Sequence, residues 1–387
     1  MGRQGSATTA SSPRRIVFSA IFLFLFRLRS RRRLRYDLNG PGGLANFQLV
    51  TETLAATLPH GDTVAYFMKR APITGFETLR HRMVRALIRS RALERFRLCG
   101  RFYLVAVDGT GFLSFRKPHC PHCQTQQLEN GEIRYHHPVL EAKLVCDNGL
   151  AISLETEFLS RQDGATKQDC ELAAFYRLIA RLRRRWPQLR LCLLLDGLYF
   201  NETVLKTLSR RHCAYIITFK EGSAPATYAE MLTLLDLSRG NVRVSVDGSI
   251  RRRFRWVHDV DHHGQRFHVF GCEETPEGGE TRRFVWATNL HVQAHDVEEL
   301  SQEGGRLRWK IENEGFKTLK REGFGMEHAY CEDWNAAQNF YLAMQIAHIL
   351  DQLVRKSNLL NASVQALFGS FQAFVARWLE AWRCHPI

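Results

Sequence analysis

The sequence lacks a long apolar run. Its longest nearly apolar stretch, VFSAIFLFLF at residues 17–26, has ten residues, whereas a helix that crosses a bilayer needs about 20. The stretch lies between Arg15 and a tract of arginines, and no small-residue cleavage site follows it, which disfavours an export signal. We therefore predict a packed helix here and no membrane partner, with an interfacial anchor as the alternative.

Other common signals are also missing. The ten cysteines are scattered, with Cys120 and Cys123 as the one close pair, so no disulfide framework is visible and a reducing cytoplasm is indicated. No glycine-rich phosphate loop of the Walker type is present, so no nucleotide cofactor is implied. The spacing of the 16 histidines singles out no Ser/His/Asp or Cys/His catalytic group.

Acidic residues are in deficit. The 39 Asp and Glu residues face 54 Lys and Arg residues, which gives a formal net charge of +15. Such a surface attracts a polyanion, and the basic residues cluster at 27–35, 181–185 and 251–255. We predict nucleic acid as the partner, with an anionic membrane as the second choice. The 387 residues, of which 45% are apolar, are enough for a globular protein with a large core.

The pattern of apolar residues changes along the chain. Residues 43–98 carry them at helical spacing, whereas FYLVAVDGT and LRLCLLLDG are short apolar runs, typical of buried strands, that end on Asp-Gly. A helical segment separates these runs, and its Asp169 and Glu171 are explained by a helix start. Residues 222–282 alternate in the manner of an antiparallel β insertion, and 333–383 are helical again. The predicted fold class is α/β: a mixed sheet flanked by helices, with an inserted β subdomain and helical terminal regions.

Two aspartates follow the predicted buried strands. Asp108 and Asp196 each precede a glycine, which lets the chain turn away while the carboxylate points into a cleft at the sheet edge. Asp-Gly is also a common turn pair, so the alternative for each is an ordinary turn.

A third carboxylate lies on the predicted helix RWKIENEGFKTLK, residues 308–320. At 100° per residue, Glu312 and Glu314 lie about 200° apart, so only one of them can face the cleft. Glu312 borders the apolar stripe of this helix, and Arg308 precedes it by one turn. Trp309 is interpreted as a packing residue.

Three converging carboxylates cannot all stay ionised without a cation between them. Oxygen ligands suit Mg²⁺ or Mn²⁺. Two such ions about 4 Å apart activate a water or a 3′-hydroxyl and stabilise the leaving oxygen of a phosphodiester. The basic surface agrees with such a substrate.

The element order, the two aspartates and RWKIE together resemble the DDE transposases of bacterial insertion sequences, in the group with a Y-(2)-R-(3)-E-(6)-K signature. FLSFRKPHCPHC, YHHPVLEAKLV and EFLSRQDGATKQDCELAAFYR are similar to parts of such proteins as well, so the resemblance covers residues 60–350. It implies an RNase H-like domain that cuts and joins double-stranded DNA with a divalent metal. It also implies a homodimer on DNA, in the nucleoid of a bacterial cytoplasm. The alternatives are a stand-alone nuclease and a decayed copy that only binds DNA.

Carried over by the resemblance, Asp108, Asp196 and Glu312 are the catalytic Mg²⁺ ligands and Arg308 is the signature arginine. Gly305 stands at the tyrosine position and Leu319 at the lysine position. Lys320, one residue later, is the proposed phosphate contact. These two departures support the decayed-copy alternative.

Two further motifs allow binding roles. Cys120 and Cys123 have the spacing of half a zinc site, with His136 or His137 beyond them, so a Zn²⁺ hairpin and a metal-free loop are both open. RRRFRW at 251–256 interleaves arginines with aromatics, which makes Arg253 and Trp256 candidates for DNA contact. The alternative is an edge strand with a buried Trp. RLRRRWP at 181–187 is interpreted as the C-terminal end of a helix, where basic residues offset the helix dipole, with DNA contact as the second interpretation.

These predictions divide the chain into six segments: 1–42 basic and apolar N-terminal segment, 43–100 helical region with DNA binding as a candidate role, 101–221 first part of the catalytic core with 117–138 as the candidate zinc hairpin, 222–282 β insertion, 283–330 completion of the core with the Glu-bearing helix, and 331–387 C-terminal helices.

Overall fold

The structure is a computed structural model that describes residues 12–118, 120–159, 167–356 and 361–386. Its elements in chain order are α1 Pro13–Leu25, α2 Arg33–Leu38, α3 Pro41–Thr51, α4 Gly61–Arg70, α5 Ile73–Arg89, β1 Tyr103–Phe115, β2 Gln124–Gln127, β3 Ile133–Val145, β4 Ala151–Phe158, α6 Lys167–Arg185, β5 Leu191–Leu195, α7 Glu202–Arg210, β6 Ala214–Thr218, α8 Pro225–Leu237, β7 Val242–Asp247, β8 Ile250–His262, β9 Gln265–Pro276, β10 Arg282–Thr288, α9 Val297–Glu299, α10 Thr318–Arg321, α11 Trp334–Lys356, α12 Asn361–Phe368 and α13 Phe371–Cys384. Between α9 and α10 the chain forms π-helix at Leu300–Gly304, 3₁₀-helix at Gly305–Trp309 and π-helix at Ile311–Lys317.

The chain divides into two compact units. The first consists of Met1–Arg82, Phe112–His136 and Lys317–Ile387, and the second of Met83–Gly111 and His137–Phe316. The segment boundaries drawn from the sequence stay predictions.

The first unit has α1 in its interior. Phe22, Leu23 and Phe24 of this helix are almost fully buried, and α1 packs on α11. Arg27, just beyond the helix, donates to the carbonyl of Glu322 at 3.1 Å and pairs with the buried Asp351. The predicted packing of the apolar stretch is therefore confirmed. In the described part of the chain, no helix is long and apolar enough to span a bilayer.

The ten strands form one mixed sheet in the order β2-β3-β1-β5-β6-β10-β9-β8-β7, with β4 paired to β3. β1, β5 and β6 are parallel, and β10 then runs antiparallel to β6 and to β9. The strands of the insertion, β7 to β9, therefore continue the central sheet. This confirms the predicted α/β class with an antiparallel insertion. The insertion also contains α8, which the sequence analysis did not predict, because the apolar residues of TYAEMLTLLDL follow no single face.

The prediction that the first buried strand ends at Asp108 is wrong. β1 continues through the Asp-Gly pair to Phe115. Gly109 is needed for space, since a Cβ there would lie 2.9 Å from Oε2 of Glu171. The glycine therefore marks a close approach of another side chain instead of a turn.

The predicted helix that carries RWKIE is also irregular. Leu300–Gly304 and Ile311–Lys317 are π-helix and Gly305–Trp309 is 3₁₀-helix, so the assumption of 100° per residue is wrong here. Its apolar stripe is confirmed all the same, because Leu307, Ile311 and Leu319 are all buried.

Candidate active site

Asp108 and Asp196 lie on neighbouring parallel strands of the second unit. The β1–β5 pairing runs from Tyr103 opposite Leu191 to Ala106 opposite Leu194, and each aspartate comes two residues after the last pair. Parallel strands in register place such residues at the same level of the sheet. The two carboxylates are close enough for the charge of Asp196 to raise the pKa of Asp108.

The surroundings of Asp108 disfavour its charged form. Burial, the largest cause, raises the pKa of Asp108 to about 6, and the charges of Glu171 and Asp196 add to the rise. Arg308 opposes it, with Nη1 at 3.9 Å from Oδ2 of Asp108, and so does the N–H of Gly109, which donates to Oδ1 at 3.0 Å. The site is thus a partly buried carboxylate cluster that one arginine compensates incompletely.

Glu171 is the site residue that the sequence analysis missed. Interpreted there as a helix-start charge, it is 8% exposed and accepts a hydrogen bond of 3.0 Å from the hydroxyl of Tyr199. A signal was present: Glu171 precedes the buried Ala174 and Phe175 by three and four residues, so it occupies the core stripe of α6. An acidic residue on an apolar stripe requires a buried partner or a function.

Asp196 begins the turn that follows β5. Its Oδ1 accepts the N–H of Leu198 at 2.9 Å and so caps the 3₁₀-helix Gly197–Tyr199. Because this carboxylate has one oxygen anchored by the backbone, its orientation is fixed before any ligand binds. The sequence prediction of a strand that ends at this Asp-Gly pair is confirmed.

Asp196 and Arg308 line an open cleft with a volume of about 1080 Å³. Three further cationic residues line the same cleft: Lys220, Arg283 and Arg306. Trp309 lies at the cleft with 57% of its surface exposed, so the prediction that it is a packing residue is wrong. Cationic side chains beside an exposed indole are the composition of a surface that holds phosphates and stacks bases.

Glu312 is exposed on the π-helix Ile311–Lys317. In the ranges that the structure describes, it takes part in no ion pair, whereas Glu314 accepts from Nζ of Lys310 at 2.9 Å. The departure at Gly305 has a steric origin, since a Cβ there would lie 2.4 Å from the ring of Trp286. A tyrosine cannot fit at 305, and the aromatic ring at this place comes from β10 instead.

The remaining predicted contacts are placed as follows. Arg253 has a 53% exposed side chain, 3.8 Å from Glu273. Trp256 is only 4% exposed, so its indole packs inside the insertion and is not available to stack on a base. This corrects its assignment as a DNA contact and agrees with the buried-Trp alternative. Lys320, in the first unit, pairs with Glu327 at 3.3 Å.

The Cys-x-x-Cys pair and the basic tract 181–185 are both described by the structure. Cys120 and Cys123 have their sulfurs 3.8 Å apart in the loop before β2. In the 181–185 tract, Arg181 and Arg185 pair with the buried Glu155 of β4, at 3.6 Å and 3.2 Å. These arginines serve the packing of α6 on the sheet.

The raised pKa of Asp108 predicts that Asp108→Asn stabilises the metal-free protein. Since the pKa of about 6 in the folded state lies above the ordinary 3.8, the stabilisation by the protonated form is complete below pH 3.8 and is lost as pH rises through 6. At pH 7.5 the neutral Asn should raise the free energy of unfolding by up to about 3 kcal/mol. Urea unfolding in EDTA at pH 5 and 7.5 should show the larger gain at pH 7.5.

The exposed turn residue Asp147 provides the control, and Asp147→Asn should change neither value by more than about 0.5 kcal/mol. An equal gain at both pH values, or a loss at pH 7.5, would contradict the electrostatic origin.

Comparison with known protein families gives a match. Residues 143–350, more than half of the chain, match the model of the family described as the transposase DDE domain. A search of curated proteins found no match. The matched range contains Asp196, Arg308 and Glu312, whereas Asp108 precedes it.

Proposed function

Because the chain belongs to the transposase DDE domain family, we propose that it is a transposase that cuts DNA at the ends of an insertion sequence and joins the freed 3′ end to target DNA. Membership implies DNA binding and divalent metal ions. The observation that carries the proposal is the pair Asp108 and Asp196 at one level of neighbouring strands, beside Arg308 and a cationic cleft.

The donor set fits a hard divalent cation. Burial is the largest cause of the raised pKa of Asp108, and the charges of Glu171 and Asp196 add to it. A divalent cation beside these carboxylates would offset both effects. We propose that Asp108, Asp196 and Glu312 hold Mg²⁺ or Mn²⁺, while the charge of Glu171 acts on Asp108. When bound, such ions supply an activated water or 3′-hydroxyl and stabilise the leaving oxygen.

The residues of the cleft bind and orient the substrate. Lys220, Arg283 and Arg306 neutralise backbone phosphates, a contact that carries no base specificity. Trp309 offers an indole face to a base that leaves the helical stack. Arg308 compensates Asp108 in the free protein and, with substrate present, turns its remaining donors to the scissile phosphate.

The two departures from the signature are compatible with an active protein. The ring of Trp286 takes the volume that a tyrosine at Gly305 would need. A π-helical hydrogen bond spans one residue more than an α-helical one, and most of the π-helix Ile311–Lys317 lies between Glu312 and Lys320. The one-residue delay of the lysine therefore has a local backbone cause. We retain Lys320 and Arg253 as proposed phosphate contacts and Cys120 with Cys123 as a proposed zinc half-site.

The test is a cleavage and joining assay in Mg²⁺. The full chain is incubated with labelled DNA that carries the sequences flanking its coding region, together with a target plasmid. A transposase yields labelled target, and because two ends must meet, we also expect a homodimer on DNA. Cleavage without joined product would indicate the stand-alone nuclease, and binding without cleavage the decayed copy. Either result overturns the proposal.

A further inference from the structure

Three histidines that the DNA chemistry does not use converge on the β insertion. They are His258 on β8, His268 on β9 and His291 in the loop after β10. Each offers a ring nitrogen, and these atoms lie within 4.8 Å of one another. The rings of His258 and His291 stack at 4.4 Å, and those of His258 and His268 meet edge to face at 4.9 Å.

A β-bulge creates this convergence. In the β8–β9 ladder, Val257 pairs with Val269 and Val260 with Phe267, so two residues of β8 oppose the single residue His268. The bulged residues are His258 and Asp259, and Asp259 has a positive φ of 57°. A bulge re-aims the side chain that it carries and is common beside functional sites. Here it turns His258 toward His268.

The loop that carries His291 is held at both ends. Asn289 accepts the N–H of Tyr215 at 3.0 Å and donates to the carbonyl of Cys213 at 3.0 Å. On the other side, Arg243 donates to the carbonyl of Ala294 at 2.7 Å. His291 is thus positioned by its backbone before any ligand is present.

The distances suit a transition metal. Nδ1 of His258 lies 3.4 Å from Nδ1 of His268, close to the separation of about 3.3 Å that two nitrogens have in a tetrahedral zinc site. In the free protein, Nδ1 of His268 accepts the N–H of Asp259 at 3.3 Å, a hydrogen bond that metal binding at this nitrogen would replace.

We propose that His258, His268 and His291 form a site for a divalent transition metal of the Zn²⁺ class, which ties β8, β9 and the loop after β10 together. Three imidazoles leave a fourth position for water or another ligand. The site is separate in residues and chemistry from the carboxylate cluster, so it can be tested without DNA.

The test is a Zn²⁺ and Co²⁺ titration of the full chain in excess Mg²⁺, which keeps the carboxylates occupied. All proteins carry Cys120→Ser and Cys123→Ser, so that this thiol pair does not contribute. We expect one saturable equivalent, visible ligand-field absorption of Co²⁺ without a thiolate charge-transfer band, and a thermal midpoint that rises on Zn²⁺ addition. His258→Ala and His291→Ala should each weaken binding by more than about 100-fold, since even outer-shell changes cost 10- to 100-fold.

His295→Ala is the matched control, because His295 lies in the same loop with a 75% exposed side chain and outside the cluster. It should bind metal like the parent. Circular dichroism of the metal-free variants checks that they fold. Absence of saturable binding, equal affinity in the His258 and His295 variants, or a thiolate band would each overturn the proposal.

Discussion

Asp196→Asn is expected to lower Mg²⁺-dependent DNA cleavage by about 10³-fold or more. A carboxylate that holds the ion contributes to several kcal/mol of transition-state stabilisation, and about 4 kcal/mol corresponds to that factor. The amide keeps the shape of the side chain, and its Oδ1 can still accept the N–H of Leu198 at 2.9 Å. The loss therefore reports the missing charge and not a rearranged turn. Initial rates at saturating Mg²⁺ give the measurement.

A matched control for Asp196 is Asp147, in the turn between β3 and β4. Its Oδ1 accepts the N–H of Asn148 at 2.6 Å, so it is also an aspartate anchored by a following backbone N–H. Asp147→Asn should cleave within about twofold of the parent, as expected of an exposed position away from the site. DNA binding by Asp196→Asn should be retained, because the change removes a negative charge from a cleft lined by cations. A rate within tenfold of the parent would remove Asp196 from the proposed ligand set.

The strands around the site could be predicted because their signals are local. LCLLL is an uninterrupted apolar run of strand length, and it forms β5, buried at every residue. The Asp-Gly pair after it ends the strand as predicted, since Asp196 can cap the next turn without any distant partner. Local sequence patterns are therefore enough to predict β5 and the turn at Asp196.

The errors arise where distant residues decide the local structure. β1 passes through Gly109, where Glu171 occupies the space that a side chain would need, and nothing in FYLVAVDGT encodes that neighbour. The helix of Glu312 is irregular where it approaches the sheet closely: a Cβ at Gly304 would lie 2.9 Å from Ile216, and one at Gly305 would meet Trp286. The apolar periodicity of this segment predicts neither the contact with Ile216 nor the one with Trp286.

The basic tracts illustrate the same limit. The basic tract 27–35 predicts a surface for a polyanion. In the structure, however, Arg27 pairs with Asp351 inside the first unit, and Arg35 donates to the carbonyl of Leu58 at 3.1 Å. In the insertion, Arg252 pairs with Glu274 at 3.1 Å. Runs of basic residues thus predict the sign of the surface charge better than they predict where DNA makes contact. The cations of the proposed DNA surface, Lys220, Arg283 and Arg306, lie in no such run. Two of them are also ion-paired in the free protein, Arg283 with Glu273 at 2.7 Å and Arg306 with Glu274 at 3.1 Å, so DNA would have to replace these partners.

Glu312→Gln is the second substitution for which we expect a loss of about 10³-fold or more in cleavage, for the same reason as at Asp196. Because Glu312 is exposed and forms no ion pair in the described ranges, the free energy of unfolding should stay within about 0.5 kcal/mol of the parent. Loss of activity with unchanged stability is the signature of a ligand. Cleavage rates and urea unfolding, measured on the same preparation, test both parts.

Two matched variants decide the assignment of Glu312. Glu314→Gln, two residues away, removes the ion pair with Lys310. It should lower the cleavage rate by less than about fivefold, since a partly exposed ion pair contributes at most about 1 kcal/mol. Glu171→Gln keeps an oxygen for the hydroxyl of Tyr199 while it removes the buried charge beside Asp108. Glu171→Gln could instead lower the cleavage rate by about 10³-fold, which corresponds to about 4 kcal/mol, while Glu312→Gln stays active. In that case the third metal ligand comes from α6, and the assignment of Glu312 by resemblance is wrong.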